Sequence, residues 1–145
     1  MSKNAEIDPD IVDQIIVEES RMGNPYTEIG TMVEKLQELK PYLIEVARQE
    51  NGYTTYMETR KSTGIFTARQ SRVLGTLGLH EDELDQPLLP ALVVQDTSNP
   101  MPGGKYFNMV NATTNRNEPT AETDTEKRQL WEDHVQKVRE FWSDS

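Results

Sequence analysis

The sequence predicts an α+β domain of the winged helix-turn-helix type, with an N-terminal helical extension and a C-terminal amphipathic helix. Three observations carry that expectation. Residues 53–77 read as a short β-prone run, a short helix, a turn at Gly64 and a second helix. Residues 88–94 and 106–110 are apolar and strand-like, and a Pro- and Gly-rich turn joins them. Residues 124–142 set Leu130, Trp131, Val135, Val138, Phe141 and Trp142 along one side of a helix. Helix, turn, helix and two-stranded hairpin is the order of a winged helix.

The N-terminal extension covers residues 1–52. Asp8-Pro9 opens its first helix, because Asp caps free amides and Pro is tolerated in the first turn. Ile11, Val12, Ile15 and Ile16 make an apolar stripe that ends near Met22-Gly23, and Asn24-Pro25 signals a turn. A second helix runs from about Thr27, with Met32, Val33, Leu36, Leu39, Leu43 and Val46 at helical spacing. Pro41 should kink or split it, and Asn51-Gly52 should end it, glycine taking the left-handed conformation.

The winged-helix core is expected over residues 53–110. Within it, residues 67–77 form a helix with Val73, Leu74 and Leu77 inward and Arg69, Gln70 and Arg72 outward. Glu81, Asp82, Glu83 and Asp85 read as a solvated acidic loop, since runs of like charge repel and hydrate far more often than they hold a cation. Residues 111–123 are polar without periodicity and read as a linker, and the helix within 124–145 is expected to fold back on the core.

Composition excludes several classes of function. The 145 residues suffice for one core, and a hydrophobic content of 34% implies solvated helices and a polar tail. There is no cysteine, which removes disulfides, thiol chemistry and thiolate zinc sites. His80 and His134 stand apart and read as surface histidines. Neither a phosphate-binding glycine loop nor a nucleophile elbow is present. The expectation is a protein that is not an enzyme, with no catalytic residue, metal or cofactor. The longest apolar run, 88–94, contains Pro90 and is too short to span a bilayer, and the N-terminus lacks a signal-peptide core. A cytoplasmic protein with no membrane partner is expected.

The net charge of −10 is uneven. Residues 1–51 carry 11 acids and 5 bases, residues 118–145 carry 8 and 4, and residues 52–117 carry 6 of each. In that neutral middle Arg60, Lys61, Arg69 and Arg72 cluster with only Glu58 nearby. Arg69 and Arg72, three apart on the recognition helix, are placed to read guanine or grip phosphate, and Gln70 to contact adenine. Residues 102–105 make a wing tip whose glycines admit a phosphate and whose Lys105 supplies charge. The same residues also fit ordinary surface charge and a plain turn. The acidic flanks fit a high-salt (halophilic) source as well as nucleic-acid mimicry. Trp131, Phe141 and Trp142 read as docking residues for the chain's own core, a protein partner or a second copy.

One resemblance adds to this reading. Thr55-Tyr56-x-Glu58, Gly64, Ala68-Arg69, Arg72-Val73-Leu74-Gly75, Leu89-Pro90-Ala91-Leu92-Val93-Val94 and Gly103-Gly104 together resemble the DNA-binding half of the O6-alkylguanine alkyltransferases and alkyltransferase-like proteins. The resemblance implies nucleotide extrusion from duplex DNA by Tyr56 and Arg69. Ala91 and Leu92 stand where that family has its acceptor Cys and a His, which excludes alkyl transfer. Residues 87–94, 102–107 and 131–142 are also similar to small prokaryotic domains of nuclease and genome-defence contexts. The functional expectation is a non-enzymatic duplex DNA-binding module in a restriction or defence setting. The alternatives are an acidic protein-interaction adaptor or a nucleic-acid mimic acting through the C-terminal aromatic helix.

Overall fold

The computed structural model describes residues 4–21, 29–49, 52–96, 98, 100–111, 113 and 121–143. Met22-Gly23, the expected Asn24-Pro25 turn, Asn51 and residues 112 and 114–120 of the expected linker lie outside them. The chain is α+β and mostly helical. Helix α1 spans Pro9–Arg21, and the Asp8 carboxylate accepts from the Asp10 amide at 2.9 Å, as a cap should. Helix α2, Ile29–Arg48, runs unbroken through Pro41. Pro41 is exposed while Leu39, Lys40, Leu43 and Ile44 around it are buried, so tertiary packing on both sides holds the helix together across the missing hydrogen bond. Gly52 is not in the left-handed conformation. Glycine is needed there for space: a Cβ would lie 2.2 Å from the Val46 carbonyl oxygen.

Strand β1, Thr54–Thr55, leads into α3, Tyr56–Thr63, which the Thr55 side chain caps by accepting from the Glu58 amide. Gly64, at φ 77°, ends α3, and α4, Thr67–Glu83, follows after a short turn. A 3₁₀ turn at Leu89–Leu92 precedes strand β2, Val93–Val94. The strands pair in parallel, Thr54 with Val93 and Thr55 with Val94. Helices α5, Gly104–Asn111, and α6, Asp124–Trp142, complete the chain.

Three stretches between residues 81 and 110 differ from the expected elements. Residues 106–110 are helical, so the hairpin that would make a wing is absent among the described residues. Tyr106, Phe107, Met109 and Val110 are all buried, a set one and three residues apart that fits one helical face and not the alternation of a half-buried strand. Most of the run 88–94 is a 3₁₀ turn because Pro90 removes a donor and sits in the first turn. The acidic residues 81–83 belong to α4, and Glu81 and Asp82 are buried.

The core draws on α1, α2, α4, α5 and α6, from Val12 and Ile16 through Leu36, Leu43 and Leu77 to Trp131 and Trp142, and Tyr56 of α3 packs against it. Alongside it runs a buried polar network. The Lys40 ammonium donates to Glu81 Oε2 at 2.8 Å and to the Glu6 carbonyl at 3.0 Å. The Asp8 amide donates to His80 Nε2 at 2.9 Å, so Nδ1 holds the ring proton and donates to Glu81 Oε2 at 2.8 Å. Gln86 Nε2 donates to Glu81 Oε1 and to the Asn4 carbonyl, and Gln86 Oε1 accepts from the Asn4 amide. His80 is therefore a buried anchor for residues 4–8, not a surface residue. His134 is likewise buried, hydrogen-bonded through Nδ1 to the Tyr106 hydroxyl at 2.6 Å. Among the described residues no helix is long and apolar enough to cross a membrane.

Candidate nucleic-acid interface

Residues 59–80 contain Arg60, Lys61, Arg69 and Arg72 and no carboxylate, and residues 97–117 contain Lys105 and Arg116 and no carboxylate. In a chain of net charge −10, the fold brings described parts of these two stretches together as α3, α4 and α5.

Gln70 fixes the α3–α4 corner. It is buried in the first turns of α4 and its Nε2 donates to the carbonyls of Tyr56 at 2.8 Å and Ile65 at 3.0 Å. This overturns its expected role in contacting a base. Position 70 precedes Val73, Leu74 and Leu77 by three, four and seven residues, which is the inward face. Tyr56 also works within the chain. It is half-buried, and its hydroxyl accepts from the Gly103 amide at 3.2 Å, tying the turn before α5 to α3.

Arg60 lies over the ring of Phe66 with its guanidinium carbon 5.0 Å from the centroid, and Phe66, the residue before α4, is 58% exposed. Arg69 is exposed, and Arg72 is half-buried one turn further along α4. Arg72 and the exposed Lys105 line one open groove of 290 Å³ between α4 and α5. Phe66, Arg69 and Arg72 thus step into α4 at intervals of three, with Arg60 over Phe66 and Lys105 sharing a groove with Arg72, and these residues make a basic ridge. Lys61 is exposed, but lies about 100° around α3 from Arg60, off that line.

The three C-terminal aromatics part company. Of the docking targets expected for them, Trp131 and Trp142 take the chain's own core, and their buried side chains are not open to a partner. Trp131 Nε1 donates to the Ala91 carbonyl at 2.8 Å and its ring stacks on Tyr53 at 5.7 Å. Phe141 is half-buried, edge-on to Trp142. Among the described residues no group of three or more His, Asp or Glu side chains is arranged to hold a metal ion.

Phe66, Gly75 and Asn108 also lie along this face, and the sequence alone assigned them no role. The signal for Phe66 was its place between the Gly64 turn and the first helical residue, where no core position is due. No known protein family, curated protein or solved structure matches this chain.

Proposed function

We propose that the protein is a non-enzymatic module that docks the α3–α4 helix-turn-helix on the backbone of duplex DNA. The observation that carries this reading is the basic ridge Arg60–Phe66–Arg69–Arg72–Lys105 on a strongly acidic chain, with no carboxylate lining the groove that Arg72 and Lys105 share. Acidic flanks repel DNA, so a duplex can approach only where the local potential is positive. With α5 in place of a hairpin, the element beside the recognition helix is the start of a helix carrying Lys105 and not a β-wing. The ridge suits phosphate gripping more than base reading, because Gln70, the side chain best suited to adenine, faces inward.

The test is a salt titration with a random-sequence 20-base-pair duplex. Binding through phosphates gives a log–log slope near −0.9 for each phosphate neutralised. The triple variant Arg60→Ala, Arg69→Ala, Lys105→Ala should fold normally, since these side chains are exposed. Its slope should be shallower by roughly 0.9 for each contact removed. Wild-type slopes unchanged in the variant would defeat the proposal. A protein-adaptor reading draws on Met57 and Phe66, 52% and 58% exposed. It takes precedence if the wild-type protein ignores DNA and Phe66→Ala abolishes a protein complex.

A further inference from the structure

We propose that the groove between α4 and α5 seats one sugar-phosphate unit of a DNA strand, with Gly75 as its floor; this rests on the duplex-binding reading. Gly75 lies mid-way along α4, in a helical backbone where glycine is less stable than alanine. Its backbone does not require glycine, for its φ is not positive. Packing does not require it either, for a Cβ built there meets nothing within 4 Å. Gly78, one turn on, differs: a Cβ there would lie 2.4 Å from the Met109 sulfur, so the seating of α5 explains that glycine. The missing side chain at 75 opens instead into the 290 Å³ groove.

The groove's walls say what fits. Arg72 and Lys105 supply positive charge, Ser71 and Asn108 supply hydrogen-bonding groups, and no carboxylate is among the lining residues. Leu79 and Met109 add apolar surface beside Gly75. Cations and polar groups around an apolar floor suit a phosphate attached to a sugar, the phosphate held by charge-assisted bonds and the deoxyribose laid against the glycine. The groove is open, and Arg72 on its wall lies one helical turn beyond the exposed Arg69, which suits a strand passing across it better than an enclosed free nucleotide. In this seat Gly75 is a positioning residue, allowing the strand to approach the helix backbone.

Gly75→Leu separates folding from binding. A leucine there meets no neighbour at its Cβ and replaces a poor helix former, so the melting temperature should stay equal or rise. Affinity for the 20-base-pair duplex should fall at least about tenfold at fixed salt, with a shallower salt slope. Asn108→Asp, at an exposed position of α5, puts a carboxylate into the same groove and should lower affinity by a similar factor without altering the fold. If both variants bind duplex as the wild type does, the groove assignment is overturned while the ridge reading stands. If the wild type binds no duplex at any salt, both fall together. Should Gly75→Leu lower the melting temperature, Asn108→Asp decides alone. Tight binding of a phosphoserine peptide in place of duplex would overturn the assignment to DNA.

Discussion

Replacing Lys40 with methionine should destabilise the fold by about 3–5 kcal/mol, measured by urea denaturation at neutral pH. Lys40 and Glu81 are both fully buried and paired at 2.8 Å. Methionine fills much of the lysine stem's volume, so the loss comes from Glu81, left as a buried carboxylate without its cation. Glu81 Oε2 also accepts from His80, whose Nε2 accepts from the Asp8 amide, and Glu81 Oε1 accepts from Gln86. The damage therefore spreads to the segment 4–8, and amide exchange of Asp8 should quicken with global unfolding. The double variant Lys40→Met, Glu81→Gln should recover part of the loss, because removing both charges removes the desolvation cost of each. No recovery would mean that the pair's worth lies in its hydrogen bonds.

The same lysine predicts a pH dependence. Burial holds the Lys40 ammonium below its ordinary value of 10.5, desolvation outweighing the charge and hydrogen bond of Glu81. Between the lowered value and 10.5 the unfolded chain binds more protons at this site than the folded chain does, so stability from Lys40 rises with pH across that window. The stability difference between wild type and Lys40→Met should accordingly widen from neutral pH towards 10.5. A constant or narrowing difference in matched urea titrations would refute that sign.

Periodicity made the helices legible where both faces differ. The stripe in residues 124–142 coincides with α6, Asp124–Trp142, and the Thr123/Glu126 capping box marks its start. The polar core was not legible, because its partners are remote in sequence: Lys40 from Glu81 by 41 residues, Asp8 from His80 by 72, Tyr106 from His134 by 28. Spacing still held a clue that residue type masked. His80 and Glu81 follow Leu77 by three and four residues, and His134 follows Trp131 by three, so each lies on an apolar stripe despite its polarity. At the candidate interface, Arg69 and Arg72 were singled out for charge and expected outward; Arg69 is exposed, whereas Arg72 is half-buried. Lys105 was singled out for charge, but its neighbourhood with Arg72 depends on α5 being a helix, which the apparent alternation in residues 106–110 concealed. Gly75 carries no signal in one sequence, because its meaning lies in the empty space around it.

Trp131→Ala should cost about 3–5 kcal/mol, the range for truncating a buried large aromatic, and its dependence on protein concentration decides what α6 is for. Trp131 is 1% exposed and lies between elements from both ends of the core. Its ring stacks on Tyr53, which Arg139 of the same helix covers from 4.6 Å while donating to the Gly52 carbonyl at 2.9 Å. Its Nε1 donates to the Ala91 carbonyl, which an alanine would leave buried and unpaired at a further cost of about 1–3 kcal/mol. Trp131→Phe, which keeps a stacking ring but loses that donor and part of the indole's volume, should cost less than the alanine variant and more than the unpaired carbonyl alone. Against a total stability of about 5–15 kcal/mol for a domain of this kind, the alanine variant falls close to unfolding at 37 °C, and deletion of α6 altogether should leave no folded chain. Because Trp131 is already buried by its own chain, the loss should be the same in dilute and concentrated protein. A loss that shrinks as concentration rises would mean that α6 is stabilised across a subunit interface, since only association responds to mass action.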